Sequence, residues 1–348
     1  MCHSGTAAAN LHQALGQEPT FPAQHRSPSW RMEACYPQVK SNVTSHNAMA
    51  VVIISLQAFA GLWINVFIVS VLCVALVKKK TFNSNEKILL FLGCSRFGYF
   101  CFVWPVTFFL VLYPWLFYIH FLFQVLNAIH DFLNFSNLWV SSCLSIFYCI
   151  KIADFRYSFF TFLKANIDRI VPWLLMGSAL SSLIIAIVFY KIVDELPYNN
   201  LNATSLGNFG KINVKTDAPF VHIFFISVFG YATAFLAVLF SALPLLFSLW
   251  RHKCRMQANS VRDVNVEAHI KAMKSILSFF FLYSINFIGS ILSLIYFSAA
   301  ENPMSLLVFV FELNFPTVHS LVLIFSNPKL EKTLLRTLLW VKCKVCGR

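Results

Sequence analysis

Seven apolar runs divide the chain, at about 49–77, 88–112, 121–150, 171–193, 219–250, 272–300 and 305–326. Each can cross a bilayer as a helix, because about 20 residues at ~1.5 Å per residue match a hydrocarbon core ~30 Å thick. The runs predict an all-α membrane protein, a bundle of seven transmembrane helices. No soluble domain is inserted between them, and no internal repeat of the transporter kind is visible. The third run breaks its apolar pattern in a regular way. Asn127, His130, Asn134, Asn137, Ser141, Ser145 and Tyr148 follow one another at steps of 3, 4, 3, 4, 4 and 3, so all seven share one helical face. Unpaired polar groups are costly in lipid, so this face must look inward. The third helix is therefore expected at the bundle centre. The lower stripe suits hydrogen bonds to neighbouring helices; the upper part, around His130 and Asn134, suits a ligand cavity.

Composition supports this picture. Of 348 residues, 58% are hydrophobic and only 12% charged, too apolar for a soluble domain of this size. The formal charge is +13, but the basic residues sit in short segments between the runs. That pattern is topogenic and argues against a nucleic-acid partner. Lys78, Lys79, Lys80 and Lys87 follow run one. Lys151, Arg156, Lys164 and Arg169 follow run three. Arg251, Lys253, Arg255, Arg262, Lys271 and Lys274 follow run five, and six more basic residues lie in the tail. The positive-inside rule puts the N-terminus outside and the tail in the cytoplasm, beside an anionic leaflet and its lipids.

Three segments follow. Residues 1–47 hold no periodicity and no apolar signal-peptide core, which predicts a disordered extracellular segment; Met32 and Met49 are alternative starts. Residues 48–326 form the seven-span domain, and 327–348 a basic cytoplasmic tail. The sequon Asn202-Ala203-Thr204 falls in the outer loop between spans four and five, far enough from the membrane for glycosylation. The ten cysteines are scattered, mostly inside apolar runs, and make no disulfide framework. The tail motif Cys343-Lys344-Val345-Cys346 lacks the second pair that zinc needs; beside a membrane it is a palmitoylation candidate. No catalytic constellation is present, and no cofactor or metal site is expected.

Five stretches carry more. Span two has LGCSRF, and span three ends LWVSSCLSIFYCIKIADF. Span five ends ALPLLFSLWRHKCRMQ, span six opens EAHIKAMKSILSFFFLY, and span seven ends HSLVLIFSNPKL. In this order, on these spans, they closely resemble the bitter taste receptors, the type 2 taste receptors that couple to G proteins. The resemblance runs from about residue 60 to 332. It implies a plasma-membrane chemosensory receptor for small, mainly apolar agonists, acting through a heterotrimeric G protein of the gustducin type. Two departures stand out. The N-terminus is longer than the family usually has. The family's common Trp one turn above Asn134, and the His just after that Asn, are here His130 and Phe135. The loop 194–218 has no Cys, unlike ordinary rhodopsin-like receptors. A vomeronasal-type pheromone receptor and a small-solute transporter stand as alternatives.

Three groups of residues follow as candidates. His130, Asn134, Phe309 and Glu312 would line an outer-half ligand cavity; a His130–Glu312 hydrogen bond joining two helices is the plain alternative. Arg96 lies well inside span two, where a charge must face the bundle and find partners. Asn65, His319 and Ser320 are at similar depth, so the four are expected to form a polar cluster joining spans one, two and seven. Tyr148, Lys151, Lys164, His252, Gln257, His269 and Lys271 sit near the cytoplasmic ends of spans three, five and six, where a G-protein helix would dock; snorkelling to lipid headgroups is the alternative. Pro244 and Pro316 are candidate kinks.

Overall fold

The computed structural model describes residues 45–79, 83–113, 119–153, 158–194, 218–258, 264–297 and 303–346. All regular structure among them is helical. Seven helices follow the seven apolar runs: α1 (Ser45–Lys79), α2 (Ser84–Leu112), α3 (His120–Ile152), α4 (Ser158–Asp194), α5 (Ala218–Ala258), α6 (Val264–Phe297) and α7 (Pro303–Ser326). An eighth, α8 (Pro328–Cys346), follows in the tail after the single residue Asn327. Helices α1 to α6 each contain a stretch long and apolar enough to cross a membrane. Helix α7 has 24 residues, roughly 36 Å of rise, which also suffices.

Helix α3 is the centre. Over an 18-residue apolar window of this helix 72% of the residues are buried, against 44% at most for the matching windows of α1, α2, α4, α5 and α6. This is the position its polar stripe demanded. The other spans turn large apolar side chains outward: Trp63, Trp173, Phe229 and Phe240 are each more than 60% exposed within the bundle and face the lipid. Lipid is as apolar as these side chains, so the bundle is held by close packing and hydrogen bonds rather than by the hydrophobic effect. Close packing is visible at two glycines. A Cβ on Gly61 would stand 2.4 Å from the Phe100 ring, and one on Gly230 would stand 2.7 Å from Phe135. Only a residue without a side chain lets α1 meet α2, and α5 meet α3, this closely.

The helix ends differ from expectation on the cytoplasmic side. Span four was expected from 171; α4 begins at Ser158. Helix α5 runs on to Ala258, and α6 begins at Val264 rather than 272. These extra turns mix charged with apolar residues: in α4, Lys164, Asp168 and Arg169 stand beside Ile167, which is buried in the core. Helix α1 likewise starts at Ser45, inside the segment assigned to the disordered N-terminus; residues 1–44 lie outside the described residues. The tail is a helix. Leu330 and Leu334 pack it against the inner core of α1, α2, α3, α4 and α7. Its start is tied to α2 by Lys329 Nζ, 2.6 Å from Glu86 Oε1. Glu86 also closes a capping box with Asn83 at the start of α2. The prolines at 105, 172, 244 and 316 all lie inside helices that continue through them.

Candidate functional site

At mid-membrane, Arg96 is almost wholly buried, with 1% exposed. Its Nη1 donates to Ser320 Oγ at 2.7 Å, and its Nη2 donates to Ser141 Oγ at 3.1 Å and to His319 Nδ1. Ser320 donates onward to Asn65 Oδ1 at 2.9 Å, and Asn65 Nδ2 returns to the Gly61 carbonyl at 2.8 Å. Asn65, Arg96, His319 and Ser320 thus meet in one network across α1, α2 and α7. Ser141 adds α3, a helix the sequence reasoning had not joined to this cluster. Since arginine only donates, the Nδ1 of His319 accepts and its Nε2 carries the proton. Phe279 and Phe315 flank the imidazole, with ring centroids 4.6 Å and 5.7 Å away.

Below and beside this network, α3 is stitched to α5 and α6. Ser145 and Ser241 share a hydrogen bond of 2.7 Å. Tyr283 donates to the Leu138 carbonyl at 3.0 Å, and its oxygen lies 2.9 Å from Ser142 Oγ. Ser142 is one place off the stripe of seven and was missed for that reason; two consecutive serines face two different neighbours.

In the outer half, Asn134 Nδ2 donates to the Tyr231 hydroxyl of α5 at 2.9 Å. His130 stands 5.9 Å from the Tyr99 ring of α2, and its Nδ1 is 3.6 Å from Asp131. Glu312 takes hydrogen bonds from Ser290 and Ser293 of α6. The carboxylate is therefore held by serines across the α6–α7 seam. Tyr99, Tyr231, Ser290 and Ser293 join the outer-half polar set only in space. Tyr231 is 97 residues from Asn134, and nothing local announces the pair. The side chain of Phe309 lies outside the described residues. On the lipid side of the same seam runs an apolar groove of about 410 Å³, walled by Ile285, Ile288, Leu292, Leu307 and Phe311. It does not include His130, Asn134 or Glu312.

At the cytoplasmic end, Tyr148 is partly buried and donates to Asn85 Oδ1 of α2 at 3.2 Å. Ser84 donates to Asp168, joining α2 to the extension of α4, and Ser275 of α6 bonds Ser326 of α7. Lys151 is exposed, with its ammonium 5.1 Å from the Phe147 ring centroid, and Lys164 is exposed on α4. The side chains of His252, Gln257, His269 and Lys271 lie outside the described residues, as does Asn202. Cys343 is an exposed free thiol. No group of His, Cys, Asp and Glu able to hold a metal occurs among the described residues.

A seven-helix membrane bundle with a polar heart, a stitched cytoplasmic end and a membrane-proximal eighth helix defines a multi-pass receptor architecture. The family profile described as taste receptor protein (TAS2R) matches residues 43–342. Taste receptor type 2 member 9 of Homo sapiens is 32% identical over 302 residues, covering 85% of this chain and 95% of that protein. Taste receptor type 2 member 40 of Gallus gallus is 31% identical over 307 residues, 87% of this chain and 98% of the other. Taste receptor type 2 member 2 of Homo sapiens is 30% identical over 297 residues, 83% and 95%. The chain belongs to the type 2 taste receptor family: it is a multi-pass G-protein-coupled receptor of the plasma membrane.

Proposed function

We propose that this receptor detects small, mainly apolar bitter compounds in the outer half of the bundle and signals through a heterotrimeric G protein of the gustducin type. Family membership carries the reading. The outer-half chemistry supports it: Asn134, His130 and Glu312 bring polar groups from α3 and α7 to a region otherwise lined by aromatic side chains, the usual mix of a small-molecule site. Glu312 is satisfied by two serine hydroxyls, so its carboxylate keeps acceptor capacity for a ligand. Phe309, three residues before Glu312 on α7, is the fourth residue proposed for the site. An agonist acts only if it binds the active bundle better than the resting one. At the other end, Tyr148, Lys151, Lys164, His252, Gln257, His269 and Lys271 are the proposed docking residues. The exposure of Lys151 and Lys164 supports a role for those two, whereas Tyr148 has to leave Asn85 to take part.

The test is a panel of bitter compounds applied to cells expressing the full chain with a promiscuous Gα subunit, read as intracellular calcium. At least one compound should elicit a saturable response that is absent in mock-transfected cells. A solute flux without G-protein dependence would instead favour the transporter reading.

A further inference from the structure

The centre of the bundle holds a permanent positive charge that meets no carboxylate among the described residues. Arg96 cannot lose its proton in a protein. Its three partners, Ser320, Ser141 and His319, are neutral. The acid on the same helix as Ser320 and His319 is Glu312, eight residues away, or about 12 Å along the axis, and it is engaged by Ser290 and Ser293. A buried charge left without a counter-charge is costly in so dry a place.

The hydrogen-bond balance points the same way. Arg96 Nε, His319 Nε2 and the Asn137 amide nitrogen are buried with no hydrogen-bond partner among the described residues. All three are N–H donors, since the tautomer of His319 is set by its bond from Arg96. Their residues are 1%, 0% and 6% exposed. Asn137 lies one turn above Ser141, the α3 residue that holds Arg96. Nε of an arginine shares an edge of the guanidinium with Nη2, so it faces the same side as Ser141 and His319. Buried polar groups in native proteins are satisfied in the great majority of cases. Asn137 Oδ1 and Thr317 Oγ1 are also without a partner among the described residues, but the three N–H donors stand beside a positive charge and call for an acceptor.

We propose that a small monovalent anion, chloride in the cell, binds in the bundle centre between α2, α3 and α7, held by Arg96, His319 and Asn137. The ion would neutralise the guanidinium and accept from the three free donors. It would also couple the Arg96 network to the turn of α3 that leads up to Asn134. The occupant is small because the surroundings, Phe279, Phe315 and Leu138, are close-packed.

The test is thermal unfolding of the purified full-length receptor at constant sodium and ionic strength, with chloride replaced stepwise by gluconate, which is too large for the site. The wild type should melt about 3 °C higher at 150 mM chloride than at 1 mM, along a saturating curve, as expected for a ligand of the folded state. Asn137→Asp supplies a built-in carboxylate at the same place. It should melt in gluconate as the wild type does in chloride, and lose the chloride response. Equal melting of the wild type in chloride and gluconate overturns the proposal. So does a chloride response that persists undiminished in Asn137→Asp, because the ion would then act elsewhere.

Discussion

Glu312 and Asn134 illustrate how far a single residue's meaning can be taken from type and position. A carboxylate two turns into a span demands partners, and it has them in Ser290 and Ser293. What the sequence could not supply was which helix the partners come from; a bond to His130 of α3 was the plain alternative to a cavity, and the serines come from α6. If the pair lines the ligand cavity, Glu312→Gln and Asn134→Ala shift agonist potency by about tenfold, unequally for different agonists, at unchanged surface expression; dose–response curves against a surface epitope stain decide this. Loss of expression with unaltered potency would mark both as staples. Gly230 is a second residue-scale case. Its absent side chain lets Phe135 lie against α5 and stack on Tyr231 with centroids 5.1 Å apart. Gly230→Ala should destabilise by about 1–3 kcal/mol through overpacking, seen as a lower melting temperature, and Phe135→Leu in the same chain should recover part of the loss.

Elements were legible where a bilayer defines them and less so where it does not. Apolar length located every span. The cytoplasmic turns of α4, α5 and α6 escaped because Lys164, Asn166, Asp168, Arg251 and Lys271 look like loop to a hydropathy scale, although the chain there stays helical. Helix α8 escaped for a related reason. Its apolar residues Leu330, Leu334, Leu338 and Val341 do recur at helical spacing, but five basic side chains mask them. The Glu86–Lys329 pair that anchors this helix spans 243 residues and has no local signature. Glu86 is buried and Lys329 only about one-third exposed, so removing the lysine leaves a buried carboxylate without its counter-charge, and a second carboxylate there would repel it. Lys329→Glu should therefore lower agonist efficacy and melting temperature together. The exchange Glu86→Lys with Lys329→Glu should restore the pair but not the α2 cap, so recovery should be partial. Full independence of the two positions in a double-mutant cycle would show that the contact does nothing.

At the scale of the whole molecule, orientation rests on the distribution of lysine and arginine. Asn202 should carry a glycan, so the receptor should migrate faster after glycosidase treatment and Asn202→Gln should abolish that change. An epitope placed within 251–271 should be stained only after permeabilisation; staining of intact cells would invert the topology. The N-terminal residues have no apolar set from which to build a core. A chain starting at Met49 should therefore reach the surface and respond with unchanged potency. Surface arrival with a lost response would place that segment in the binding site.

The long reach of the Arg96 contacts has a consequence for how the receptor is made. The first of its partners, Ser141, emerges 45 residues after the arginine, but His319 and Ser320 follow only 223 and 224 residues later. At about 5–20 residues per second, synthesis of the intervening chain takes roughly 11–45 s. Throughout that interval α2 carries a charge whose insertion alone costs about 2.5–3.5 kcal/mol at mid-span. Helix α2 should therefore stay close to the insertion machinery until the seventh span is delivered. Nascent chains stalled before residue 320 should crosslink from α2 to that machinery, and chains stalled well beyond it should not. A stop codon anywhere upstream of His319 then yields a product whose arginine never finds its network, and such products should be cleared by quality control rather than accumulate.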